Sequence, residues 1–136
     1  LAERVLEESL ALARLFRQKR EQLSRAEKQS RPRWDVLAAL GSGRTVPSIA
    51  RQMGLSRQSV QRLADVLAEA RLARFEPNPD HRRSPLVTPT EEGLRLRERL
   101  DQKLRGWERT VEDVVDAEDL ETALVVLRAI RSSLER

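Results

Sequence analysis

The strongest constraint on this chain is the stretch VPSIARQMGLSRQSVQRLAD, residues 46–65, in which one glycine separates two helix-patterned segments. Two helices that cross steeply through a tight turn need a small residue where they approach, and Ala50 supplies it. They also need a residue tolerant of positive φ between them, and Gly54 supplies that. A short helix is expected from about Pro47 to Met53, with the proline suited to its first turn. The next helix begins at Ser56 and extends to about Ala70. The Ser56 hydroxyl is placed to accept a hydrogen bond from the Ser59 backbone N–H. Leu55 before this cap and Val60 after it fit a hydrophobic staple. Ile49, Met53, Leu55, Val60 and Leu63 are then the expected buried positions, and the whole pattern predicts a helix-turn-helix.

The face left over decides what the second helix can do. With Val60, Leu63 and Leu67 turned inward, Arg57, Gln58, Gln61 and Arg62 project outward near the N-terminal end, the part of such a helix that reaches base edges in DNA. Arginine matches guanine O6/N7 bidentately, and glutamine matches adenine N6/N7. The competing reading is a plain solvated face, which more usually carries Glu and Lys. Ser42, Arg44 and Thr45 precede the supporting helix and are candidates to touch phosphates, as are Ser56 and Ser59. Small polar residues at helix starts more often serve only as caps.

The charge distribution agrees. Residues 1–43 carry nine Lys/Arg against six Asp/Glu, residues 44–84 eight against four, and residues 85–136 nine against twelve. Positive charge is concentrated in the first two thirds, a footprint for polyanion binding. Of the 136 residues only 3% are aromatic while 35% are charged, which favours an aliphatic, helical core beneath a heavily charged surface. The chain has no cysteine and one histidine, His81. Disulfides, thiolate zinc sites and thiol-based sensing are therefore excluded, no metal site is expected, and no cofactor is implied. No nucleophile–base pair or phosphate-cradling glycine loop suggests an enzyme. The Gly41-Ser42-Gly43 cluster is a helix stop, because the strand and lysine of a nucleotide loop are missing. No apolar run is long enough to span a bilayer and no secretory pattern is present, so a cytoplasmic location is the default and no membrane partner is expected. The chain opens on Leu1, which leaves the true start of the protein open.

The remaining elements follow from periodicity. Residues 1 to about 27 read as a helix, Ser30-Arg31-Pro32 interrupts it, and residues 33–40 form a second. RLARFEP, residues 71–77, has the alternation of a short strand, with Leu72 on one face and Arg74 on the other. NPDHRR is turn chemistry, and SPLVT is a short return strand that Pro85 restricts to an edge at best. A helix then starts at Thr90, or at Thr88 with Pro89 in its first turn and Glu91 completing a capping box. Leu100, Leu104, Trp107, Val111 and Val114 form a heptad-like seam. Asp116 is the expected cap of a last helix whose stripe is Leu120, Leu124, Leu127, Ile130 and Leu134.

The run LSRQSVQRLADVLAEARLARFEPNPDHRRSPLVTPTEEG resembles the MarR family (multiple antibiotic resistance regulators), dimeric winged-helix transcription factors of bacteria and archaea. The wing pattern is Asp80-His81-Arg82-Arg83, followed by a helix-opening threonine and a glycine, Thr90 and Gly93. The order of elements matches over essentially the whole chain. The fold class implied is mainly α with a small β-hairpin, a winged helix-turn-helix with N- and C-terminal dimerisation helices. One domain is expected over 1–136, with a DNA-binding lobe at 32–93 and dimerisation helices at 1–28 and 95–136. The resemblance implies a homodimeric repressor that reads a pseudo-palindromic operator in double-stranded DNA. The recognition helix, 56–70, would lie in the major groove and the wing, 77–85, in the minor groove. Arg82 would enter that groove, oriented by a salt bridge from Asp80, with His81 and Arg83 as phosphate neighbours. A hairpin tip suits this task, because a narrow minor groove concentrates negative potential.

Two half-sites about one helical turn apart require two units held at that spacing. The first and last helices carry more apolar surface than a small winged domain needs. Leu6, Leu10, Leu120, Leu124, Leu127 and Ile130 are the candidates for an interface with the partner subunit. Many family members also bind small aromatic or phenolic ligands, with loss of DNA affinity. Phe16, Trp34 and Trp107 are candidates to line such a pocket, with Arg14 or Arg17 to pair a carboxylate, although core packing is the weightier use of the aromatic rings. The alternative class is a winged-helix protein–protein interaction module without sequence-specific DNA binding, which an acidic or apolar recognition helix would have favoured.

Overall fold

The computed structural model describes every residue from Leu1 to Arg136. Its elements in order are α1 (Ala2–Ala26), α2 (Arg31–Ala39), β1 (Arg44–Thr45), α3 (Val46–Met53), α4 (Arg57–Glu69), β2 (Ala73–Glu76), β3 (Leu86–Pro89), α5 (Glu91–Glu112) and α6 (Ala117–Leu134). The chain divides into two compact units, Leu1–Leu100 and Asp101–Arg136.

In the first unit, caps set the helix boundaries. Ser30 accepts from the Arg33 N–H at 3.4 Å and Pro32 sits in the first turn of α2. Residues 30–32, which the sequence pattern marks as an interruption, are thus the start of that helix. Thr45 caps α3 by accepting from the Ser48 N–H at 3.3 Å. Gly54 ends α3 in the left-handed region at φ 65°, which lets the Leu55 N–H return to the Ala50 carbonyl. Ser56 then caps α4 as expected, accepting from the Ser59 N–H at 3.1 Å. At the other end of α4, Arg71 takes φ 59°, and the Leu72 N–H reaches back to the Leu67 carbonyl at 2.9 Å. Residue 71 is therefore a helix stop in place of the strand start read from alternation, and β2 begins at Ala73.

The sheet has three antiparallel strands in the order β1-β3-β2, one more than the expected hairpin. Arg44 pairs with Val87 and Thr45 with Leu86, while Ala73, Arg74, Phe75 and Glu76 pair with Pro89, Thr88, Val87 and Leu86. The return strand is central, not an edge. Pro85 lies one residue before it, so its missing N–H removes nothing from the ladder. Gly43 makes the third strand possible. A Cβ there would lie 2.7 Å from the Thr88 Cγ2, at a φ of 144°.

The core of this unit joins Trp34, Val36, Leu37 and Leu40 of α2 and its end with Ile49 and Ala50 of α3. Val60, Ala64 and Leu67 of α4 complete it with Leu72, Val87 and, from α5, Leu96 and Leu100. Two details differ from the expected set. Leu55 is 43% exposed and lies outside the buried set, while Ala64, not among the expected positions, is fully buried. Met53 and Leu63 are only half-buried. Trp34 is a core side chain at 2% exposure, its ring covered by the Arg20 guanidinium at 4.8 Å. Arg20 in turn pairs with Asp35, which ties α1 to α2. Ion pairing between Arg99 and Glu27 at 3.3 Å ties α1 to α5.

The junction after the sheet explains one glycine. Thr90 accepts from the Gly93 N–H at 3.0 Å and donates its hydroxyl to the Arg71 carbonyl at 2.7 Å. Its own N–H donates to the Leu72 carbonyl. This closes the choice of helix start in favour of Thr90, ahead of Thr88. It also draws α5 so near the backbone that a Cβ on Gly93 would sit 2.0 Å from the Leu72 oxygen.

Apolar surface is left uncovered at the start of the first unit. Along α1, Val5, Leu6, Leu10, Leu12, Leu15 and Phe16 are all exposed. The second unit contains the end of α5 and all of α6. Asp116 stands at the N-cap of α6 without a side-chain capping bond, and α6 has no buried residue. Leu124, Val125, Val126 and Leu127 are exposed there, while Leu120 and Ile130 are half-buried. No helix is long and apolar enough to cross a membrane.

Candidate nucleic-acid interface

The outward face of α4 is set by its inward face. Val60, Ala64 and Leu67 are buried. Arg57, Gln58, Gln61 and Arg62 are exposed as a consequence of helical period. Ser56 donates its hydroxyl hydrogen to the Ser59 Oγ at 2.8 Å while accepting the Ser59 N–H. Its bonding is thereby satisfied as a cap, which leaves the Ser59 hydroxyl as the one of the pair with a hydrogen to offer.

A cleft of about 290 Å³ lies between α4 and the base of the β2–β3 hairpin. Arg57, Gln58 and Gln61 line it from the helix, Arg83, Ser84 and Pro85 from the hairpin, and Val46 and Pro47 from the start of α3. The fold thus brings Arg83, placed by the sequence reading among phosphate neighbours, to the same recess as the base-reading candidates. Two guanidinium groups and two carboxamides converge there, a set of donors suited to an anionic, hydrogen-bonding partner.

The hairpin tip has its own internal scaffold. The Asn78 carboxamide donates to the Ser84 carbonyl at 3.1 Å and accepts from the Asp80 N–H at 3.1 Å. Its backbone carbonyl accepts from the His81 N–H at 3.2 Å. Asn78 therefore bridges both sides of the loop, a role that general turn propensity did not single out. Asp80, His81, Arg82 and Arg83 are all exposed on this scaffold. The Asp80–Arg82 salt bridge implied by the resemblance is not formed. Asp80 is held by its backbone through Asn78 instead, and the Arg82 guanidinium is free to engage a partner.

Arg44 and Thr45 sit on β1. The Thr45 Oγ1 serves α3 as a cap, and the Arg44 side chain is exposed. Of the residues named for a ligand pocket, Trp34 is committed to the core. Arg14 and Arg17 are exposed on α1 with Phe16, and Trp107 is half-buried in the second unit.

Residues 30–84 match the sequence model of the MarR family. Over 134 residues the chain is 34% identical to the uncharacterized protein Rv2011c of Mycobacterium tuberculosis, covering 98% of this chain and 89% of that protein. The chain belongs to the MarR family. Solved structures show the same fold at low identity. The MarR family transcription regulator SP03579 superposes with a TM-score of 0.91 at 18% identity, over 98% of this chain and 90% of that one. Staphylococcus aureus MarR, in complex with salicylate and kanamycin, gives 0.85 at 14% identity, over 98% and 91%. In terms of that fold, α3 and α4 form the helix-turn-helix and the β2–β3 hairpin is the wing.

Proposed function

We propose that the chain is a sequence-specific regulator that binds double-stranded DNA as a homodimer and represses transcription from a pseudo-palindromic operator. The observation that carries this reading is the cleft where Arg57, Gln58 and Gln61 of α4 meet Arg83 of the wing. An α-helix with this face fits a major groove. The wing then extends along the adjacent backbone, where Arg82 enters the minor groove and His81 and Arg83 approach phosphates. Arg44, Thr45, Arg62 and Ser59 complete the contact surface. The charge balance of the segment supports it, since residues 44–84 hold eight of the 26 Lys/Arg and only four of the 22 Asp/Glu.

Dimerisation supplies the spacing of two half-sites. Isolated apolar side chains on a surface need no explanation, but rows of them along α1 and along α6 do. Leu6 and Leu10 on α1, and Leu120, Leu124, Leu127 and Ile130 on α6, bury themselves against a second copy. A small aromatic acid of the kind held by Staphylococcus aureus MarR is the ligand class to test for relief of repression. Phe16, Trp107, Arg14 and Arg17 are the side chains to vary in that test.

Binding measured on a fluorescent operator-length duplex at several salt concentrations tests the polyanion part of this reading. Neutralising six or more phosphates gives an affinity that falls by about 10³-fold between 50 and 200 mM salt. A flat salt response would show that the basic face does not engage a phosphate backbone.

A further inference from the structure

The recognition helix carries an acidic residue that the role assigned to it does not explain. Asp65 lies one helical turn beyond Gln61 on the exposed face of α4, outside the cleft that Gln61 lines. A carboxylate on a DNA-facing helix is repelled by phosphates, so its presence calls for a compensating task. The contact it makes supplies one. The Gln61 Nε2 donates to the Asp65 Oδ1 at 2.9 Å.

The chemistry of that bond fixes more than a distance. A glutamine carboxamide has an acceptor end and a donor end that exchange by rotation about its last torsion, which is broad and roughly two-fold. An ionised carboxylate only accepts. Gln61 must therefore turn its nitrogen toward Asp65, which leaves Oε1 and the second N–H on the edge directed away from it. An acceptor beside a donor is the complement of adenine N6 and N7, and it is mismatched to guanine, whose O6 and N7 both accept.

We propose that Asp65 is a positioning residue that locks the Gln61 carboxamide in one orientation and so sets a preference for A·T over G·C at the base pair Gln61 meets. The proposal rests on the DNA-reading role of α4 given above. Asp65 acts through Gln61 and touches no base itself. Its cost is electrostatic, because the same carboxylate weakens attraction to every duplex.

The test compares base preferences of the full chain and its variants, measured by sequencing duplexes retained from a randomised pool. Asp65→Ala should lower the A·T preference at one base pair per half-site by about tenfold. At the same time it should raise affinity for unrelated duplexes, because a negative charge has left the binding face. A loss of folding or of helix structure would lower both together, so the opposed signs separate positioning from mere support. Asp65→Asn should also relax the preference, since an amide can donate as well as accept and no longer dictates the orientation of Gln61. Asp65→Glu keeps an acceptor-only group and should restore it. In a Gln61→Ala background, Asp65→Ala should change the base profile no further. The proposal is overturned if Asp65→Ala leaves the profile of the parent chain intact while Gln61→Ala alters it. It is equally overturned if Asp65→Ala still shifts the profile when Gln61 is absent, which would make Asp65 a direct reader. No enrichment by the parent chain itself would instead overturn the DNA-reading role on which the proposal stands.

Discussion

At the scale of single residues, one arginine and one glutamine separate the two kinds of DNA contact that the proposed function calls for. Arg82 is exposed on a wing tip held from within by Asn78, so its guanidinium can reach sideways without distorting the loop. Arg82→Ala should weaken binding to all duplexes, with an added loss for those with A/T-rich flanks, and should reduce the salt slope by about one. Titration of two duplexes differing only in their flanks, at several salt concentrations, measures both effects. Gln61→Ala should leave the salt slope alone and relax preference at one base pair, by about 1–3 kcal/mol. A comparison of matched and singly mismatched duplexes reads that difference. The identities of the outward residues were legible in the sequence because helical period alone separates Arg57, Gln58, Gln61 and Arg62 from the buried Val60 and Leu67. What Asp65 and Asn78 do was not legible, since a side-chain hydrogen bond depends on where an atom lands and leaves no periodic trace. The Asp80–Arg82 pair is the converse case, carried over from a resemblance and absent from the structure.

At the scale of elements, close approach of backbone explains where the chain tolerates no change. A Cβ on Gly93 would stand 2.0 Å from the Leu72 carbonyl, and that carbonyl also accepts the Thr90 N–H. Gly93→Ala must push α5 away from this junction, at a cost of about 3 kcal/mol, readable as a lower urea midpoint. Arg71 gives the opposite prediction. It is a non-glycine residue at φ 59°, closing α4 where glycine is the usual choice. Arg71→Gly should stabilise the fold by about 1 kcal/mol in the same unfolding experiment. The elements themselves were largely legible. The Ser56 cap, Gly54 and the apolar stripes mark six helices, and the turn residues mark the hairpin. Three features were not. β1 is two residues long, too short for any alternation to show, and exists because Gly43 lets the chain pass close to Thr88. β3 became central because Pro85 stops one residue short of it, a margin finer than pattern reading resolves. Leu55 was assigned to the buried set from its offset in the helix-turn-helix, yet it is 43% exposed, and the small Ala64 is buried.

At the scale of the whole molecule, the proposed reading of two half-sites requires two copies of the chain. Chain mass is 15.6 kDa, and sedimentation equilibrium should return about twice that value. Leu127 is 46% exposed on a helix with no buried residue, so Leu127→Glu should change little within one chain. It should nevertheless shift the equilibrium toward monomer and lower operator affinity at nanomolar protein, because a half-site alone gives weak binding. The exposed stripes were legible from sequence as apolar surplus. Which of these residues would meet which in the proposed pair was not, because a self-complementary surface is a property of two chains and is not written in the period of one.

The proposed function rests on sequence-specific reading of DNA by a pair of recognition helices. Selection from a pool of randomised duplexes at near-physiological salt, with sequencing of what the protein retains, tests it most directly. The expected product is an inverted repeat whose half-sites lie about one helical turn apart. A pool that emerges unenriched, or enriched in a single site with no symmetry, would contradict it.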